Sequence, residues 1–316
     1  MDLFLDPADV QRTSAPAPRP IADVVGASEV EPCRGPVLQG YAQFSFASGD
    51  FTHSVYHSGN RADPALLVMP EIAGFSPGML QFAERLVEAR FQVYIPWLFG
   101  PFRRRAPARN ALRLCISREF ACLRAGVSAP VTDWLRALAA YISDQNSSRA
   151  IGAIGMCLTG AFAIPLIIDP KVVAAVAAQP AVPLSPLFAV TGLGRGAWMH
   201  RLNVSVEDIV AARARLNSGA AHLFALRCRA DRLCPHEKLE RLQQELPVGL
   251  KTAEYGEADS RNRLGDRPHA TFTKEYRLEP DASPEHHSRR AMTDLLMFFD
   301  QHLRSQPAAL NPFATT

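Results

Sequence analysis

No uninterrupted apolar stretch in this chain approaches the ~20 residues that a membrane-crossing helix requires. Its opening, MDLFLDPADVQR, also lacks the basic-then-apolar order of a secretory signal. These absences predict a cytoplasmic protein with no membrane partner. Net charge is nearly absent as well, since 34 Lys and Arg stand against 31 Asp and Glu. That balance gives no argument for nucleic acid as a partner. The most basic cluster, PFRRRAPAR, has no interleaved aromatic platform and reads as a solvated loop rather than a phosphate-binding patch. Cysteine is sparse: Cys33, Cys115, Cys122, Cys157, Cys228 and Cys234 are too few for a disulfide framework in 316 residues, and no CxxC pair suggests zinc. Free thiols and no metal are expected. The glycines at 152, 155 and 160 lack GxGxxG spacing, and no Lys-Ser/Thr ending follows them, which argues against a phosphate or nicotinamide site.

What is present is an alternation of short apolar runs with amphipathic ones. Residues 1–35 carry TSAPAPRP and little periodicity, and read as a flexible leader. VLQGYAQFSF and FTHSVYHS flank the turn-prone ASGD and predict an antiparallel hairpin. ALLVMP and FQVYIP are buried strands, separated by the helix PGMLQFAERLVEAR with Leu80, Ala83, Leu86 and Val87 on one side. After an irregular Arg-rich passage, VTDWLRALAAYISDQ predicts a helix with Thr132 or Asp133 near its start. AIGAIGM is apolar throughout, as a parallel strand covered on both faces should be. The run TGAFAIPLII is expected to be a helix that Pro165 kinks or ends early. VVAAVAAQ, HLFALRCRA and KTAEY are further strands, interleaved with the helices SVEDIVAARARL and PHEKLERLQQEL. HHSRRAMTDLLMFFDQHL closes the fold with Met292, Leu295, Leu296 and Phe299 on one face. The expectation is an α/β protein, a mostly parallel doubly wound sheet with helices on both faces, spanning residues 36–305, with a tail at 306–316.

Ligands of open parallel sheets sit beyond the carboxyl ends of the strands. Cys157 lies at such a junction, in GMCLTG between a strand and a helix. A nucleophile elbow has this form: a sharp turn lifts Ser or Cys off the sheet and needs small neighbours. Gly155 meets that need, whereas Thr159 departs from the Gly-x-nucleophile-x-Gly spelling, with Gly160 one place later. A buried structural thiol is the competing reading. An elbow of this kind is followed along the chain by an acid and then a histidine. Asp231, in DRLCP after HLFALRCRA, and His269, in HATF before the closing helix, occur in that order. Asp259 and Asp266 are the alternative acids, and His286 and His287 the competing histidines.

One more strand end makes the pattern more specific. ALLVMP runs into EIAG, and with GMCLTG, DRLCP and HATF the chain resembles the dienelactone hydrolase family of the α/β-hydrolase fold over about residues 37–305. The resemblance implies a Cys157–His269–Asp231 triad, with Glu71 assisting deprotonation of the thiol. The backbone N–H groups of Ile72 and Leu158 would form the oxyanion hole. It further implies hydrolysis of a carboxylic ester or lactone through an acyl-thioester on Cys157, with a small-molecule substrate and no metal or organic cofactor. Family members that open dienelactone hold its carboxylate with arginines. One of them lies four residues after the histidine, where this chain has Thr273, with Lys274 adjacent. For the second, CISREFACLR offers Arg118, with Arg124 as the alternative. The missing arginine argues against dienelactone itself. Two rival readings stay open: a non-catalytic ligand-binding member of the fold, which Thr159 favours, and an acyltransferase or thioesterase sharing the acyl-enzyme step. Oligomeric state is also open, a homodimer included.

Overall fold

The computed structural model describes residues 29–32, 35–99, 128–147, 149–181, 195–260, 267–276 and 286–304. Most of the expected leader and tail, the Arg-rich passage, Arg118, Arg124 and Asp266 lie outside the described residues. The strands are β1 (Glu29–Pro32), β2 (Ala42–Ser48), β3 (Phe51–Ser58), β4 (Ala65–Met69), β5 (Gln92–Pro96), β6 (Ile151–Met156), β7 (Val172–Ala178), β8 (His222–Cys228) and β9 (Leu250–Tyr255). Among the described residues they form one sheet in the order β1-β2-β3-β5-β4-β6-β7-β8-β9. β1, β2 and β3 pair antiparallel, β3 pairs antiparallel with β5, and from β5 to β9 every pairing is parallel.

The parallel strands owe their place to composition. Every residue of β4, β5, β6 and β7 is buried, so each side of the sheet must be covered. Alternate residues then serve opposite cores: Leu67 and Met69 of β4 join one apolar cluster, Leu66 and Val68 the other. Helices α1 (Pro77–Glu88) and α7 (His287–Phe299) pack into the second cluster. Helices α2 (Val131–Gln145), α5 (Val206–Asn217) and α6 (His236–Glu245) contribute to the first. Fully burying each Leu, Ile or Val in these layers is worth roughly 1.5–3 kcal/mol. Ser76 starts α1 by accepting the Met79 N–H, with Pro77 at the first helical position, where no intrahelical donor is needed. Two further helices, α3 (Ala163–Leu166) and α4 (Arg195–Met199), are one turn each.

The structure departs from the sequence expectation in two places, one at the far edge of the sheet and one at the site. Glu29–Pro32, read as part of the leader, pairs with β2 at the sheet edge. EVEP alternates over only four residues, too short a run to announce a strand, and an edge tolerates its proline. The helix expected over TGAFAIPLII is a 3₁₀ turn, Cys157–Ala161, followed by α3. No helix among the described residues is long and apolar enough to cross a membrane.

Candidate active site

At the carboxyl end of β6 the chain makes a turn that few sequences can make. Cys157 has φ +58°, a left-handed conformation that costs a non-glycine residue about 1–3 kcal/mol and persists where surrounding contacts enforce it. Two neighbours must be small. A Cβ on Gly155 would stand 2.0 Å from the Thr159 carbonyl oxygen, and one on Gly160 2.8 Å from Pro180 Cα.

Thr159, the residue that fitted the elbow spelling least well, supplies the enforcing contacts. Its buried hydroxyl accepts the Met156 N–H at 2.8 Å. The hydroxyl oxygen also lies 3.0 Å from the carbonyls of both Met69 and Met156 and 3.2 Å from that of Pro70, so its one proton is shared between its own turn and the end of β4. The cysteine turn is thereby tied to the loop that carries Glu71 and Ile72. On the other side, Ala181 donates its N–H to the Cys157 carbonyl at 3.0 Å. Cys157 itself is half-buried rather than sealed.

The turn after β8 holds Asp231, which is almost wholly buried and must therefore be paired. Its two carboxylate oxygens divide the work. Oδ1 accepts the N–H groups of Leu233 at 2.8 Å and Cys234 at 3.1 Å, the self-closing turn that aspartate favours. Oδ2 faces His269 Nδ1 at 2.7 Å. A carboxylate accepts, so Nδ1 carries the proton and the other ring nitrogen is free to exchange one. That nitrogen, Nε2, is buried and makes no hydrogen bond of ordinary geometry. Burial would lower the His269 pKa, but its electrostatic interaction with Cys157, followed by that with Asp231, more than reverses this and holds it well above the ordinary value. The imidazole thus bonds the carboxylate and lies within electrostatic reach of the sulfur. Its own loop is fastened by Thr271, whose hydroxyl lies 3.4 Å from the Cys228 sulfur.

The strand β4 ends in a tight turn in which the Gly74 N–H returns to the Glu71 carbonyl at 2.8 Å, with Gly74 at φ +68°. Glu71 Oε1 accepts a hydrogen bond from Thr273 Oγ1 at 2.7 Å. The position expected to lack one arm of a carboxylate clamp is therefore a partner for the glutamate. Ile72 and Cys157 pack against the same apolar cluster, to which Leu158 belongs. Asp259 is exposed. His286 begins α7, its Nδ1 accepting the Ser288 N–H and its ring 4.2 Å from that of His287. Among the described residues no group of three or more His, Cys, Asp or Glu is arranged to hold a metal ion. The contacts made by Thr159 and Thr273 were not foreseen from sequence. Each threonine stood where the pattern called for something else, and that mismatch was the available signal.

Comparison with known proteins gives a consistent picture. Residues 52–246 match the model of the dienelactone hydrolase family. A search of curated proteins finds no match. Among solved structures, a Klebsiella pneumoniae subsp. pneumoniae protein assigned as a dienelactone hydrolase superposes with a TM-score of 0.54 at 17% identity, covering 87% of this chain and 99% of its own. An esterase from Pyrococcus furiosus gives 0.52 at 14% identity, covering 87% and 100%. A dienelactone hydrolase-like promiscuous phosphotriesterase from metagenomic libraries gives 0.50 at 15% identity, covering 86% and 98%. At these identities the likeness is one of fold, the α/β-hydrolase fold.

Proposed function

The chain belongs to the dienelactone hydrolase family, and from that premise we propose that it hydrolyses carboxylic esters or lactones through an acyl-thioester on Cys157. The observation that carries the reading is the 2.7 Å contact between Asp231 and His269 Nδ1, with Nε2 left to the sulfur of a strained, half-buried cysteine.

The thiolate is the nucleophilic form of cysteine. His269 Nε2 takes the thiol proton, and Asp231 fixes the tautomer that makes this possible. Glu71, held by Thr273, supports deprotonation as substrate arrives. Sγ attacks the acyl carbon, and the oxygen that becomes negative is received by the main-chain N–H groups of Ile72 and Leu158. As the tetrahedral intermediate collapses, the C–O bond to the leaving group breaks and the alkoxide takes the proton from His269. Water, deprotonated by the same nitrogen, then attacks the thioester; the acid leaves and the thiol is restored. No metal or organic cofactor enters this sequence, and the substrate is a small molecule. Arg118, with Arg124 as its alternative, remains the proposed partner for a substrate carboxylate.

The test is turnover of a panel of p-nitrophenyl esters and lactones, with and without a free carboxylate. Cys157→Ala should abolish it while the circular dichroism spectrum is kept, and Cys157→Ser should retain a small fraction. An Ala variant with most of the wild-type rate would mean that the nucleophile is elsewhere.

A further inference from the structure

β8 contains a residue that its position in the sheet does not explain. Six of its seven residues are buried, yet among them is Arg227, whose side chain is only 5% exposed. Desolvating a guanidinium is costly unless its donors are met. They are met almost entirely by one turn. Nε donates to the Cys234 carbonyl at 2.6 Å, and Nη2 to the carbonyls of Arg229 at 3.0 Å and Asp231 at 3.1 Å. Nη1 is paired with Glu254 Oε1 on neighbouring β9, and that carboxylate also takes His236 Nδ1 at 3.0 Å.

Residues 229–234 form the turn that presents Asp231. We infer that Arg227 is a positioning residue for the proposed reaction: it grips the main chain of the acid's turn, so that the carboxylate meets His269 in one geometry. The inference rests on the triad reading above. Two sets of contacts share the task. Asp231 Oδ1 orients the carboxylate against the Leu233 and Cys234 N–H groups, while Arg227 holds three of the turn's carbonyls from the strand side. Glu254 keeps the guanidinium plane aimed, since a planar fork can serve several acceptors only in a fixed orientation. Lysine would keep the charge and lose the fork. Arg227 touches none of the proposed reacting atoms, so its effect is expected in the chemical step rather than in substrate capture. A displacement of about 1 Å in such a group can cost about 10²-fold in rate.

The experiment compares wild type with Arg227→Met, Arg227→Lys and Glu254→Gln. It reads kcat and KM on p-nitrophenyl butyrate, together with the proton resonance of His269 Hδ1, which reports the bond to Asp231 directly. Arg227→Met should lower kcat about 10- to 100-fold with KM changed less than about threefold, and should shift or broaden the Hδ1 signal. Arg227→Lys should recover part of both, and Glu254→Gln should show a milder loss of the same kind. If Arg227→Met does not fold, the lysine and Glu254→Gln variants decide. Variants that fold with wild-type kcat and an unmoved Hδ1 signal would overturn the inference. Failure of the triad reading has a different signature: Cys157→Ala would stay active, while the Hδ1 signal would still answer the question about Arg227.

Discussion

Two turns leave the same rim of the sheet, each carrying a cysteine, and they treat the sulfur in opposite ways. After β6, the backbone is forced into a left-handed turn and Cys157 is lifted to a half-buried position within electrostatic reach of His269. After β8, Cys234 is fully buried, its N–H bound to Asp231, its thiol pKa driven well above the usual range by burial and then by the Asp231 charge. Cys228, at the end of β8, is pushed up to about 11 by burial, a shift that its contact with Thr271 only partly offsets. Each of the three sulfurs lies within electrostatic reach of Asp231 or His269: Cys228 of both, Cys234 of Asp231, and Cys157 of His269. Nearness to that pair therefore does not distinguish them. What does is the backbone: one turn spends conformational strain to present its thiol, and the other uses a thiol as filling while presenting a carboxylate.

The largest effect that could break this comparison comes from the carboxylate. Asp231→Asn leaves an acceptor for the Leu233 and Cys234 N–H groups but replaces the oxygen facing His269 with a donor, so the imidazole is driven into the wrong tautomer. Turnover of p-nitrophenyl esters should fall about 10³- to 10⁴-fold. A loss of less than about tenfold would detach the acid's role from this turn and move it elsewhere, with Asp259 next among the described residues.

A smaller effect sharpens the contrast between the thiols themselves. Brief exposure to iodoacetamide, followed by peptide mapping, should label Cys157 at least about tenfold faster than Cys228 or Cys234, because alkylation requires an accessible thiolate. Equal labelling of the three would show that the elbow does not single out its sulfur.

Much of this rim could be read from the chain. Strands such as IGAIGM and VVAAVAA announce burial on both faces because no polar residue interrupts them, and the order of elbow, acid and histidine follows from topology. Other parts were hidden for physical reasons. β1 is held by main-chain bonds to β2, which the four residues of EVEP are too few to announce by their alternation. The hydroxyl of Thr159 acts on carbonyls about ninety positions away in sequence, and no local spelling records such a contact. Thr273 reads as a lost arginine until the fold brings Glu71 to it. Arg227 did leave a trace, a single guanidinium inside the apolar run HLFALRC, but the turn it grips became apparent only with the fold.

The finest test concerns the charge that joins the two turns. Burial alone would take the His269 pKa below that of a free histidine, about 6.5; it lies well above because Cys157, then Asp231, stabilises the imidazolium. Replacing the sulfur by Cys157→Ser removes the first of these partners and leaves the second, so the midpoint should fall. The sign carries over to stability: a raised folded-state pKa adds stability that is fully present below the unfolded midpoint and is lost as pH rises through the folded one. In Cys157→Ser that loss should be displaced to lower pH. Nitrogen-15 spectra of His269 across the titration, together with denaturant midpoints at matching pH, measure both. A midpoint unmoved by the substitution would mean that the imidazole does not feel the sulfur, and the β6 turn would then present its cysteine to something other than His269.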